Sequence, residues 1–379
     1  MFEEFVLFVK ELYGVDGIVA LHEPCFKGNE KRYLLDCIDS TFVSTVGAYV
    51  DKFEKKIADF TGAKYAIATI NGTAALHVAL KLSGVSSGDE VITQPLTFVS
   101  TCNAISYCGA APVFVDVERS TLGMCPDSLI NYLEENTYQR NDGTYNKKTG
   151  RKISAVVPMH TFGHPCRIED ICNVCNRYGL SVVEDAAESL GSYYKNRHTG
   201  TFGIFGVLSF NGNKTITSGG GGMVLTDSEE LARKARHITT TAKVNHPYEY
   251  VHDEIGFNYR MPNLNAALGC AQMENISEML MDKKVLASEY AEFFKHQYVE
   301  FQVEPEEASS NYWLNAVIFH DGGEKEKFLR DTNNSGVMTR PVWRLMNRLE
   351  MFKECQTGRL DNSLWLEDRM ANIPSSVRI

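Results

Sequence analysis

Over the first two-thirds of the chain, short uninterrupted apolar runs alternate with stretches whose apolar residues recur every three or four positions. The strand-like runs are Tyr65–Ile70, Glu90–Thr93, Ala111–Asp116, Ile153–Met159, Ser181–Glu184, Val207–Phe210 and Met223–Thr226. Solid Val/Ile/Ala content of this kind belongs to a parallel sheet covered on both faces. Between the runs, Thr73–Leu82, a stretch from about Val99, and Ile168–Tyr178 have helical spacing. The alternation predicts an α/β layer fold. Gln139–Arg151 is polar and contains glycine, so an exposed hairpin or loop is expected ahead of the fourth strand.

After about Asp253 the pattern changes. A long helical region runs from Leu264 to about Gln297, with a break expected near Asp282. Strand Trp313–Phe319, helix Glu324–Asn334 and strand Val337–Arg340 follow. At the other end, Phe2, Phe5, Val6, Phe8, Val9 and Leu12 make one face of a short surface helix. The predicted organisation is an N-terminal helix over 1–20, a large α/β domain over 21–255 and a smaller α+β domain over 256–379.

Charge and cysteine content narrow the function. The chain carries 38 Lys and Arg against 48 Asp and Glu, a net charge of −10, which disfavours binding to a nucleic-acid backbone. No run approaches the roughly 18 apolar residues of a membrane-spanning helix. Glu3, Glu4, Lys10 and Glu11 interrupt the apolar start, so no export signal is legible. The expected location is the cytoplasm, with neither nucleic acid nor membrane as partner. Cys166, Cys172 and Cys175 lack a second pair at zinc spacing. Cys172 and Cys175 share a helical stripe with Ile168, Ile171 and Tyr178, so core packing is expected and no metal.

Three segments carry candidate chemistry. Asn71-Gly72-Thr73-Ala74 lies between a strand and a helix, where free amides and the helix dipole favour a phosphate. The same residues could merely cap the helix. Val182-Val183-Glu184-Asp185-Ala186-Ala187-Glu188 ends an apolar strand in carboxylates, at the edge where open α/β sheets bind ligands. A buried carboxylate there needs a cationic or N–H partner, although most Asp and Glu are simply solvated. Ser209-Phe210-Asn211-Gly212-Asn213-Lys214 leads into Gly219–Gly222, and a desolvated Lys214 could bond an aldehyde. A phosphate cradle, a strand-end Asp and a Ser-x-x-x-x-Lys loop together serve three parts of one cofactor, pyridoxal phosphate.

These motifs resemble those of the DegT/DnrJ/StrS-type sugar aminotransferases. The likeness runs from about Ser44 to the C-terminus through VGAYVDKFE, NGTAAL, VEDAAESLG, SFNGNK with GGGG, and GFNYRM at 256–261. It implies the fold-type-I architecture of pyridoxal-phosphate-dependent transferases, with a large mixed, mostly parallel sheet and a smaller C-terminal α+β domain. It also implies that Lys214 is the Schiff-base lysine and proton carrier and that Asp185 holds the pyridinium nitrogen. Gly72, Thr73, Ala74 and Ser209 would hold the phosphate, Phe98 would stack on the ring, and Glu188 would lie near the ring hydroxyl. Asn258 would reach the phosphate of a neighbouring subunit, which implies a homodimer with shared active sites. Trp343, Arg344 and Arg260 are candidate substrate contacts. An anionic sugar nucleotide requires a locally basic cleft in this acidic chain, and Arg340 is a further candidate.

Leu21-His22-Glu23-Pro24, Gly28-Asn29-Glu30, Asp39-Ser40-Thr41-Phe42-Val43-Ser44-Thr45-Val46-Gly47, Gln94-Pro95-Leu96-Thr97-Phe98 and Arg340-Pro341-Val342-Trp343-Arg344-Leu345-Met346-Asn347 are similar to the legionaminic-acid branch. The resemblance implies amino transfer from glutamate to C4 of a nucleotide-linked 4-keto-6-deoxy sugar bearing a 2-acetamido group. A sugar dehydratase on the same scaffold is disfavoured, because such relatives carry His in place of Lys214. A non-catalytic sugar-nucleotide or cofactor-binding regulator is the remaining alternative.

Overall fold

The computed structural model describes residues 2–379. Its main sheet has nine strands. Seven follow in the order Tyr65–Thr69, Gly222–Thr226, Phe205–Ser209, Ser181–Asp185, Lys152–Val157, Glu90–Thr93 and Ala111–Phe114. From Phe205–Ser209 onward all neighbours are parallel. Gly222–Thr226 is antiparallel to both of its neighbours. The sheet is therefore mixed and mostly parallel, as expected. The polar segment before Lys152–Val157 folds as a hairpin, Thr137–Arg140 with Gly143–Asn146, and joins the sheet antiparallel at the start of that strand.

The two-residue period of the strands feeds two cores. Ile67, Val207 and Val224 point to helix Gly72–Leu82, where they meet Ala75, Leu76 and Ala79. Ala66, Ala68, Leu208, Met223 and Leu225 point the other way, to Val50, Phe53 and Ile57 of helix Ala48–Thr61 and to Ala267 and Cys270 of helix Asn263–Glu274. Helices on both faces account for the near-continuous apolar runs. All ten cysteines are free and seven are buried, so they pack as small apolar groups.

A second, antiparallel sheet has the order Glu300–Phe301, Asn315–Ile318, Met370–Ile373, Arg340–Pro341. Its core includes Leu286, Tyr290 and Phe294 from helix Ile276–Phe294 and Phe328 from helix Gly322–Asn334. Phe5, Val6 and Val9 of helix Phe2–Tyr13 pack into this same core, so the start of the chain folds onto its end. The interruption of the long helical region falls at Asn275, not near Asp282. Asn275 ends one helix and begins the next, whereas Asp282 lies mid-helix and pairs with Arg378 at 3.0 Å. No helix among the described residues is long and apolar enough to cross a membrane.

Candidate active site

Thr69, Ser209, Asp185, Val157 and Thr93 end their strands at one edge of the sheet, because these strands share a direction. A cavity of about 280 Å³ opens there, bordered by Gly72, Thr73, Phe98, Asp185, Glu188, Ser209, Lys214 and Trp343. A larger groove of about 580 Å³ on the second sheet's unit, beside Tyr298, His320 and Trp365, receives none of these residues.

Asn71 is extended and caps helix Gly72–Leu82, its Oδ1 accepting from the Ala74 amide at 2.8 Å. The first amides of a helix have no acceptor within it. The cap uses that of Ala74 and leaves those of Gly72 and Thr73 at the cavity wall. Ala74 is thus the exception among the expected phosphate contacts: its amide is occupied and its side chain is buried in the fold. Gly72 sits so close to Ser209 that a Cβ would come within 3.0 Å of the serine Cβ and 3.2 Å of its hydroxyl.

Asp185 is 1 % exposed. Its Oδ2 accepts from Thr101 Oγ1 at 2.6 Å and its Oδ1 from the Ala187 amide at 3.2 Å. Thr101 in turn shares a 2.8 Å hydrogen bond with Thr97. Burial pushes the Asp185 pKa up, opposed first by the Thr101 hydroxyl, then by the Ala187 amide and the Lys214 charge. A cation in the cavity would complete its solvation. Glu188 is as hidden; burial raises its pKa to about 7 against the nearby Lys214 charge and the Phe162 amide. Its Oε2 accepts from Phe162 N–H at 3.0 Å, and Lys214 Nζ donates to Oε1 at 3.2 Å. Lys214 Nζ also lies 3.9 Å from the centroid of the Trp313 ring. Glu184 accepts from His160 Nε2 at 3.0 Å and from the amides of Gly200, Phe202 and Gly203, so it anchors the strand end and takes no part in the cavity.

Phe98 is 47 % exposed although it begins helix Val99–Tyr107, and its ring stands 6.1 Å from that of Trp343. Trp343 also packs on Phe162 at 4.9 Å. The remaining expected contacts are not brought to the cavity of their own chain. Asn258 is exposed and bridges to Thr240, while the Arg260 backbone bridges to Thr69. Arg344 is exposed, and Arg340 is tied to Asn333 and the Thr339 carbonyl. Sequence reasoning missed Thr101 and Trp313. Neither has a local signal: both reach the site only because the strands and the segment before Asn315–Ile318 converge.

The family model for the DegT/DnrJ/EryC1/StrS aminotransferase family matches residues 24–379. The chain is 36 % identical over 336 residues to the GDP-perosamine synthase of Escherichia coli O157:H7, covering 89 % of this chain and 87 % of that protein. It is 34 % identical over 363 residues to the GDP-perosamine synthase of Vibrio cholerae, covering 94 % of each. A DegT/DnrJ/EryC1/StrS aminotransferase from Brucella abortus superposes with a TM-score of 0.83 at 25 % identity, covering 92 % of this chain and 90 % of the other. The chain belongs to the DegT/DnrJ/EryC1/StrS aminotransferase family and is a pyridoxal-phosphate-dependent aminotransferase. The residues at the cavity fit that cofactor: an amine for its aldehyde, a buried carboxylate for its ring nitrogen, and a cradle at Gly72 where a Cβ would crowd Ser209.

Proposed function

We propose that this aminotransferase moves an amino group from glutamate to C4 of a nucleotide-linked 4-keto-6-deoxy sugar bearing a 2-acetamido group. Such a product serves the making of a surface-glycan sugar such as legionaminic acid. The convergence of Lys214, Asp185 and the Gly72–Thr73 cradle on one sheet edge carries the transamination reading. When bound, pyridoxal phosphate supplies an aldehyde for the amino group and a protonated ring that draws electron density from the reacting carbon. Lys214 would hold the cofactor's aldehyde end and, as a free amine, would carry a proton at Nζ. Asp185, fixed by Thr101 and Ala187, would hold a positive ring nitrogen. Gly72, Thr73 and Ser209 would hold the phosphate, Phe98 and Trp343 would contact the ring and the sugar, and Glu188 would lie near the ring hydroxyl.

The acceptor is read from the sequence patterns at 21–30, 94–98 and 340–347. A second acceptor is favoured by the two GDP-perosamine synthases at 36 % and 34 % identity: the keto sugar nucleotide that yields GDP-perosamine. Both readings keep Arg260 and Arg344 as candidate contacts to the nucleotide. The reading also takes the enzyme as a cytoplasmic homodimer in which Asn258 serves the partner's site, consistent with its exposure outside its own cavity.

The deciding experiment is incubation with glutamate and a panel of UDP- and GDP-linked 4-keto sugars, with the amine located by NMR. Amination at C4 of a 2-acetamido sugar is expected. Amination at C3, or turnover only of sugars without the acetamido group, overturns the branch. A protein that takes up no pyridoxal phosphate overturns the reading as a whole.

A further inference from the structure

Lys214 is gripped twice by one side chain from the far end of the chain. Trp313 is 3 % exposed, and the face of its ring carries the Lys214 ammonium at 3.9 Å. Its indole N–H donates to the carbonyl of Asn213, the residue before the lysine, at 2.6 Å. The ring therefore fixes both the lysine's backbone and its charge.

Trp313 is itself held from behind. Its amide donates to Asn311 Oδ1 at 2.9 Å, and its carbonyl accepts from Lys283 Nζ at 3.2 Å. Lys283 is wholly buried, and its other two protons go to the Ser375 carbonyl at 2.6 Å and His22 Nε2 at 3.2 Å. Asn311 spends its own side-chain N–H groups on the carbonyls of Glu188 and Leu190 and on Thr215. Rotating the indole away would break its bond to the Asn213 carbonyl, and the backbone bonds to Asn311 and Lys283 keep the main chain from moving with it. Buried networks of this kind hold a side chain in one geometry.

We propose that Trp313 is a positioning residue that holds the free Lys214 ammonium on its ring face beside Glu188 during the part of the cycle in which the lysine is not bonded to the cofactor. This rests on the functional reading above. A desolvated ammonium on an indole face gains roughly tenfold in preference over one without that face. Glu188 alone would leave the lysine free to swing about its carboxylate; the ring removes that freedom and keeps Nζ at the cavity wall. The indole N–H adds a second, separable grip. Trp313→Phe keeps a face and loses the bond to Asn213, whereas Trp313→Leu loses both.

The test loads the purified protein with pyridoxamine phosphate, the form in which the lysine is free. Lys214→Met should then change the tryptophan emission of an otherwise unaltered protein and leave that of a Trp313→Phe background unchanged. Turnover supplies the second readout. Trp313→Leu should lose about tenfold in kcat with the KM for glutamate held within about twofold, and Trp313→Phe should recover most of the loss. An emission change that persists without Trp313, or no change at all, overturns the clamp, and so does a Leu variant with near-normal kcat. Should Trp313→Leu not fold, the Phe variant and the emission comparison decide alone. A wild type that binds no pyridoxal phosphate overturns the functional reading along with it, whereas an active wild type with a null emission comparison removes the clamp only.

Discussion

Asp185 and Glu188 lie three residues apart and are hidden to the same degree, yet their neighbours set them different tasks. Asp185 is held by a hydroxyl and an amide and turns toward the cavity. Glu188 has one amide and the Lys214 ammonium, and burial carries its pKa from 4.5 to about 7. The folded chain therefore holds the Glu188 proton more tightly than the unfolded chain does. That contribution to stability is complete below the unfolded value of 4.5 and is lost as pH rises through about 7. Glu188→Gln has no proton to lose. In cofactor-free protein the melting temperature of the wild type should fall relative to Glu188→Gln between about pH 5 and about pH 8, a differential on the order of 2–3 kcal/mol. A gap that does not vary with pH would show that Glu188 is already ionised in the folded state. The residue types at 185, 188 and 214 are legible in the sequence because three short motifs serve three parts of one cofactor. Their burial is not, since a carboxylate after a strand reads as solvated until the sheet edge closes over it. Trp313 is less legible still, for it reaches a loop 100 positions earlier in the chain.

Among the elements, the parallel strands are legible because both of their faces are apolar, and Ser181–Asp185 departs from its expected span by one residue. Helices Ala48–Thr61 and Pro126–Asn136 go unassigned although their signals are present. Val50, Phe53 and Ile57 lie at i, i+3 and i+7 in the first, and the second has Pro at its start. Strand Met370–Ile373 has no signal of its own. It follows directly on helix Asp361–Arg369 and exists because Asn315–Ile318 and Arg340–Pro341 need a partner between them. The strand–helix turn at Asn71–Gly72 depends on glycine at two places. A Cβ on Gly222 would collide with the Asn71 carbonyl, which is backbone and cannot yield cheaply. A Cβ on Gly72 meets only the Ser209 side chain. Gly72→Ala should therefore fold, at a cost of about 1–2 kcal/mol, and weaken pyridoxal-phosphate binding by about tenfold as Ser209 is pushed into the cradle. Gly222→Ala should fail to give stable protein. Equilibrium binding and thermal melts check both, and unchanged cofactor affinity in Gly72→Ala would move the phosphate away from this turn.

At the scale of the whole molecule, the proposed homodimer turns on where Asn258 lies. Asn258 is exposed on a segment whose neighbours, Thr240 and Thr69, belong to the large sheet's surroundings, and it does not line the cavity of its own chain. Phe42, Val43, Val46 and Tyr107 are between 41 % and 65 % exposed, apolar side chains that a subunit contact would cover. In the proposed two-fold dimer each Asn258 serves the partner's cradle, and a symmetric contact of that kind supplies both sites at once. Lys214→Ala kills the site of its own chain, and Asn258→Asp, which sets a carboxylate against the phosphate, would kill the site of the other. Each mutant alone should be nearly inactive. After unfolding-free subunit exchange, a random mixture makes half of the dimers hybrid, and each hybrid has one site with an intact lysine and an intact asparagine. About a quarter of wild-type activity should return. Hybrid dimers that form and stay inactive, or full activity in a chain that sediments as a monomer, would assign the whole phosphate site to one subunit.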